Sequence, residues 1–105
     1  MSGLLGLLGL GLRGRLVVVG VDPVRAELQS GKIRCVVLAS DASPRAVEKV
    51  VRLAEGRGVP VVPGPAAAAI GGRLGRPPVM VVGVRDRGLA DGILRAASGR
   101  DVTED

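Results

Sequence analysis

The sequence predicts an α/β fold in which one β-sheet lies between two layers of helices, a three-layer α/β/α sandwich. Short aliphatic runs alternate along the chain with longer segments of helical pattern. These runs are continuously apolar, which indicates strands that are covered on both faces of the sheet. The chain has 105 residues and no Phe, Trp or Tyr. This length suits a single domain, and its core must be packed from aliphatic side chains alone.

Four strands are expected, at residues 16–19, 35–39, 59–62 and 79–84. Each is rich in Val, a residue that favours extended backbone. We expect one domain over residues 1–97, and an acidic, disordered tail over residues 98–105.

The clearest helix begins after Ser43, which suits the N-cap, with Pro44 at the first helical position. Apolar residues at 47, 50, 51 and 54 recur on one face and charged residues occupy the other. Gly56 or Gly58 is expected to end this helix.

Four further helices are predicted. One spans residues 23–30, with Asp22 as its N-cap, and another starts near Pro65 and weakens at residues 71–72. The last starts near Asp86, and an N-terminal helix covers residues 4–12 despite its glycines, each of which costs about 1 kcal/mol relative to Ala.

The charge balance favours a polyanionic partner. The chain carries 15 Lys and Arg against 10 Asp and Glu, a formal charge of +5, and three of the acids lie in the last five residues. The body is therefore more basic than the whole chain, as in nucleic-acid-binding proteins. The alternative explanation is an Arg-rich solvated surface from a GC-rich genome. Without aromatic side chains to stack on bases, RRM-like and OB-like recognition of single strands is disfavoured.

The side chains of this sequence do not indicate a catalytic site or a metal site. The chain has no histidine, and Cys35 is its one cysteine, expected to be an inert buried thiol in a strand. Asp41 and Ser43 are better explained by helix capping than as part of a nucleophilic site, because no histidine is present as a base. The Gly31–Lys32 pair precedes a strand and lacks the Ser or Thr of a phosphate-binding loop. We expect no enzyme activity, cofactor or metal.

Localisation follows from the N-terminal segment. Its apolar run is interrupted by Arg13 and Arg15, too early for a spanning helix, and it lacks the pattern of a signal peptide. We therefore expect a cytoplasmic protein that does not associate with a membrane.

Two segments resemble a known family. Residues 20–62, GVDPVRAELQSGKIRCVVLASDASPRAVEKVVRLAEGRGVPVV, and residues 70–93, IGGRLGRPPVMVVGVRDRGLADGI, are similar to the YlxQ-type bacterial proteins. These belong to the superfamily of kink-turn-binding large-subunit ribosomal proteins. The resemblance implies a four-stranded mixed sheet, with structured RNA bound at one end by loops that match residues 20–26 and 74–78.

The partner implied by the resemblance is structured RNA, with ribosomal RNA carrying kink-turn-like loops as the expected target, together with ribosomal or translation-related proteins. A monomer is expected. The candidate RNA-binding residues are Gly20, Val21, Asp22, Pro23, Arg25, Lys32, Arg34, Arg76, Pro77 and Pro78. The positive charge around the first loop is expected to come from Arg13, Arg15, Arg25, Lys32 and Arg34.

The first loop departs from the strong kink-turn binders, which carry Asn, Glu and Lys where this chain has Asp22, Pro23 and Ala26. The alternative function is therefore a protein-interaction domain of the same fold that has lost specific RNA recognition. Its contact surface would be the Leu-rich N-terminal segment or the helix bearing Arg45 and Arg52. If RNA is bound, we expect Arg52 to lie away from the loop that contains Arg25.

Overall fold

The computed structural model describes residues 3–98, which form a four-stranded sheet between two layers of helices. The elements in chain order are α1 (Leu4–Arg13), β1 (Val17–Val19), α2 (Val21–Gln29), β2 (Cys35–Leu38), α3 (Pro44–Gly56), β3 (Val61–Pro63), α4 (Ala67–Leu74), β4 (Val81–Val84) and α5 (Arg87–Ser98). The predicted three-layer architecture is confirmed. Apart from Ser98, the predicted tail at 98–105 lies outside the described residues.

The sheet has the strand order β1-β4-β2-β3. β4 pairs antiparallel with both β1 and β2, while β2 and β3 pair in parallel, so the sheet is mixed as predicted. β1, β2 and β3 therefore run in one direction and β4 runs in the other. We call the end where β1, β2 and β3 finish and β4 begins the Gly20 end, and the opposite end the Arg34 end.

Each face of the sheet is covered by its own aliphatic cluster. Val36 and Val81 pack with Val24 and Leu28 of α2, and with Val50 and Ala54 of α3. The other face is covered by the apolar sides of α1, α4 and α5, which contribute Leu8, Ile70, Leu74, Leu89, Ala90 and Ile93. Because successive strand residues point to opposite faces, both faces of β2 and β4 are apolar.

Helix capping agrees with the sequence at two helices. The Ser43 hydroxyl accepts a hydrogen bond from the Ala46 N–H at 3.2 Å and caps α3. Asp86 does the same for α5, since its Oδ2 accepts from the Leu89 N–H at 2.8 Å. Both satisfy first-turn donors that lack intrahelical partners.

Capping differs from the prediction at α2 and α4. The predicted N-cap role of Asp22 is wrong, because α2 starts at Val21, two residues earlier than predicted, and Gly20 occupies the N-cap without a side-chain bond. Asp41 does not cap its own helix, since its Oδ1 accepts from the Ala67 N–H at 2.7 Å, the first residue of α4. A capping contact 26 residues away along the chain leaves no local pattern in the sequence.

A single ion pair among residues 3–98 fastens α2 to the Arg34 end. Nε and Nη2 of Arg85 donate to the two carboxylate oxygens of Glu27, each at 2.7 Å, and Nη1 donates to the Arg15 carbonyl at 2.9 Å. The hydrogen bond and the charge of Arg85 lower the pKa of Glu27 below its usual value. The pair therefore joins α2 to both the entry of β1 and the exit of β4.

None of the helices within residues 3–98 combines the length and the apolar character needed to span a membrane.

Candidate nucleic-acid interface

Two chain segments that are far apart in the sequence meet at the Gly20 end and enclose an open groove of about 370 Å³. One is the junction between β1 and α2, and the other is the loop between α4 and β4. We call this cleft the Gly20–Pro77 groove. It is lined by Val19, Gly20, Val21, Arg76, Pro77, Pro78, Val79 and Met80. The structure thus brings together five of the ten candidate residues, from both predicted loops.

The β1–α2 junction depends on the backbone of Gly20. Its φ of 109° and ψ of 155° lie in a region that side-chain-bearing residues rarely adopt. In this conformation the Gly20 N–H donates to the Val81 carbonyl at 3.0 Å, which ties the junction to the first residue of β4. This hydrogen bond therefore fixes the position of the β1–α2 junction relative to β4, and so relative to the other wall of the groove.

The start of α2 presents hydrogen-bonding groups beside the groove. The first N–H groups of a helix have no intrahelical acceptor, and Pro23 has no N–H to offer. The N–H groups of Val21 and Asp22 remain, at the positive end of the helix dipole. The exposed Asp22 carboxylate sits in this first turn and partly offsets that positive potential.

The α4–β4 loop is held against α4 by backbone contacts. The Arg76 N–H donates to the Gly71 carbonyl at 2.8 Å, and the Val79 N–H donates to the Ala67 carbonyl at 3.0 Å. This course requires Gly71, because a Cβ there would lie 2.2 Å from the Pro77 carbonyl oxygen. The predicted weakening of α4 at residues 71–72 is therefore not observed, since the helix continues to Leu74.

The walls of the groove are largely apolar, with one cation. Pro77 and Pro78 are exposed, and their rings fix φ, so the loop loses little entropy when it meets a ligand. Met80, which is 37% exposed, also lines the groove, although the sequence indicates only that it belongs to a strand. Arg76 is exposed and supplies the positive charge.

Lys32 and Arg34 are not brought to the groove. They precede β2, whose first residue is at the Arg34 end, and the Arg34 N–H donates to the carbonyl of Val84, the last residue of β4. Arg15 also lies at that end, just before β1. The expectation that these cations surround the first loop is wrong, because the length of the sheet separates the two ends.

Arg25 occupies a third position. It is half-buried on α2 and lines a second groove, between α2 and α3, together with Arg52. The expectation that Arg52 lies away from the loop that contains Arg25 is therefore not met at Arg25 itself, because both helices start at the Gly20 end and pack side by side. Residue spacing along each helix does not show which of its faces meets the neighbouring helix.

The chemistry of the remaining reactive group is unfavourable for catalysis. Cys35 is fully buried in β2, as predicted, and burial raises the pKa of its thiol to about 12. At neutral pH it is protonated and without access to a substrate. Within the described part of the chain, no three His, Cys, Asp or Glu side chains are grouped so as to hold a metal ion.

Comparison with known proteins identifies the family. Residues 5–93 match the model of the ribosomal protein L7Ae/L30e/S12e/Gadd45 family. The chain belongs to this family. Over 88 residues it is 34% identical to the RNA-binding protein YlxQ of Bacillus subtilis (strain 168), an alignment that covers 84% of this chain and 88% of the relative. The predicted kinship with YlxQ-type proteins is confirmed.

Solved structures show the same fold. A protein of unknown function from Bacillus halodurans C superposes with a TM-score of 0.88 at 26% identity, covering 93% of this chain and 99% of that one. The 15.5kD RNA binding protein of Giardia lamblia superposes with a TM-score of 0.77 at 22% identity, covering 94% and 85%. The second likeness concerns the fold alone.

Proposed function

We propose that this L7Ae-family chain binds structured RNA at the Gly20–Pro77 groove and recognises a kink-turn-like internal loop there. The observation that carries the proposal is that the β1–α2 junction and the α4–β4 loop, far apart in sequence, form one cleft. The relative named YlxQ is described as RNA-binding, which supports an RNA ligand.

The groove offers contacts for both parts of a nucleotide. The Arg76 guanidinium is suited to a backbone phosphate, because arginine donates several N–H groups to phosphate oxygens. Pro77, Pro78 and Met80 present an apolar surface on which the face of an unstacked base can pack. In bent RNA, an internal loop exposes such bases, whereas in a regular A-form duplex they are stacked and inaccessible.

The Asp22 carboxylate limits which RNA groups can bind at the start of α2. A carboxylate only accepts hydrogen bonds, so it can pair with amino or imino groups of bases and repels phosphate. We expect Asp22→Asn, which removes this charge, to tighten RNA binding by roughly 2–5-fold, equivalent to about 0.5–1 kcal/mol. Weaker binding by Asp22→Asn would show instead that the carboxylate itself contacts the RNA.

The setting of this activity is also proposed. Ribosomal RNA is the expected ligand, the protein acts in the cytoplasm as a monomer within translation or ribosome assembly, and it catalyses no reaction. Ribosomal or translation-related proteins are the expected neighbours. Its membership of a ribosomal protein family supports this setting.

The test compares two RNAs of equal length, one with a kink-turn and one a plain duplex, each at two salt concentrations. We expect tighter binding to the kink-turn RNA, and a loss of this preference in Arg76→Gln. Arg87→Gln, an equal charge change at an exposed position of α5, is the control and should retain the preference. Equal binding of both RNAs by the unmodified chain would refute recognition of the bend.

One observation favours the second candidate function, a protein-interaction domain. Leu10 on α1 is 61% exposed and lines an open groove together with the partly buried Leu4, Leu5 and Leu7. Large exposed apolar side chains in a group mark interaction surfaces. If this is the main function, Leu10→Lys abolishes partner binding, and the unmodified chain does not bind the kink-turn RNA at physiological salt.

A further inference from the structure

A second cleft, lined by cations, lies between α2 and α3 on the sheet face opposite α1, α4 and α5. It has a volume of about 480 Å³, and we call it the α2–α3 groove. Four of its lining residues are basic, namely Arg25, Lys49, Arg52 and Arg57, against one acid, Glu48. Lys49, Arg52 and Arg57 are exposed to solvent.

No salt bridge pairs these cations with an acid, Glu48 included, in the part of the chain that the structure describes. The Nε atom of Arg25 is buried and has no hydrogen-bond partner in the described part of the chain. Buried N–H donors in folded proteins are nearly always paired, so this unpaired one is unusual.

The position of the α2–α3 groove relates it to the Gly20–Pro77 groove. α2 runs from the end of β1 to the start of β2, and α3 runs from the end of β2 to the start of β3, so both helices begin at the Gly20 end. The 13 residues of α3 extend about 20 Å toward the Arg34 end. An RNA whose bend occupies the first groove can therefore lay one helical arm along α2 and α3.

We propose that the α2–α3 groove binds the phosphate backbone of that RNA arm, independently of its base sequence. This inference rests on the proposed function for the identity of the RNA. Positive charge along the strand comes from Arg25, Lys49, Arg52 and Arg57. The groove then supplies affinity, and the Gly20–Pro77 groove supplies recognition of the bend.

The experiment compares two double variants that remove the same charge from opposite faces. Lys49→Gln with Arg52→Gln alters the α2–α3 groove, and Arg87→Gln with Arg95→Gln alters exposed positions of α5. Affinity is measured against salt concentration for a kink-turn RNA with a full arm and for one with the arm shortened. For the full arm, we expect the first variant to reduce the magnitude of the slope of log affinity against log salt by about 2, and the α5 variant to leave it close to wild type.

The shortened arm should bind both double variants with equal affinity, because it does not reach the α2–α3 groove. Equal losses from the two variants on the full arm would overturn the proposal, since the effect would then reflect net charge alone. The proposal would also be overturned if Lys49→Gln with Arg52→Gln bound the full-arm RNA with the affinity and salt slope of the wild type. The remaining candidate ligand of the α2–α3 groove would then be an acidic protein. If the wild-type chain binds the kink-turn RNA and the plain duplex equally, the proposed function is refuted instead. Phosphate binding at the α2–α3 groove would still be supported if Lys49→Gln with Arg52→Gln weakened binding to the plain duplex and the α5 variant did not.

Discussion

Gly71 and Gly72 are adjacent in α4, yet the structure predicts opposite effects when each is replaced by Ala. A Cβ at Gly71 would lie 2.2 Å from the carbonyl oxygen of Pro77, 2.7 Å from its carbonyl carbon and 2.9 Å from the Arg76 carbonyl oxygen. A Cβ at Gly72 would meet nothing within 4 Å. Both positions are helical, so the gain in helix propensity is the same for both variants.

The size of the stability change in Gly71→Ala depends on how far the Pro77 carbonyl must move. Real Cβ contacts are essentially never shorter than 3.0 Å, so the Pro77 carbonyl must move by about 0.8 Å in Gly71→Ala. Overpacking of this kind costs roughly 1–3 kcal/mol, and the gain of Ala over Gly in a helix returns about 1 kcal/mol. We therefore expect Gly71→Ala to lose up to about 2 kcal/mol and Gly72→Ala to gain up to about 1 kcal/mol of unfolding free energy.

Two assays check this pair of variants. Urea unfolding gives the two free energies, and titration with kink-turn RNA tests the groove, because displacement of Pro77 alters one of its walls. We expect Gly71→Ala to lose stability and RNA preference together, and Gly72→Ala to retain both. Equal stability of the two variants would refute the close contact, and normal RNA preference in a destabilised Gly71→Ala would separate the loop from recognition.

Three further predictions concern stability. Glu27→Gln removes the charged acceptor of Arg85 and should cost about 1 kcal/mol at neutral pH, a modest value because the pair is partly exposed. Since folding lowers the Glu27 pKa, this contribution is present above the unfolded pKa and is lost as pH falls through the folded pKa. The difference in stability between wild type and Glu27→Gln, measured by thermal unfolding, should therefore shrink in acid. A difference that stays constant with pH would contradict this role of the ion pair. Asp41→Ala removes the acceptor of the Ala67 N–H and should cost about 1 kcal/mol in urea, whereas Asp41→Asn, which keeps an oxygen, should lose less; equal losses would exclude the capping bond. Ser43→Ala should cost about 1 kcal/mol through loss of the α3 cap, and an unchanged unfolding midpoint would contradict that role.

Local patterns were sufficient for the elements themselves. α3 was predictable from Ser43, Pro44 and its apolar face because capping and helical periodicity act within a few residues. The strands were predictable because β2 and β4 are buried on both faces, which demands an uninterrupted aliphatic sequence. The sandwich follows from these two kinds of segment alternating along the chain, and the expectation of a mixed sheet came from the resemblance.

The assembly of the candidate site was decided by tertiary structure. From the sequence alone, Lys32 and Arg34 could be assigned to the first loop, and only strand pairing places them at the other end of the sheet. Asp41 reaches α4, and Arg25 and Arg52 share a groove, only because distant segments pack together. A sequence determines which residues must be buried or capped, through interactions between near neighbours. Which surface side chains come together depends on strand direction and helix packing, and both are set by contacts between residues far apart along the chain.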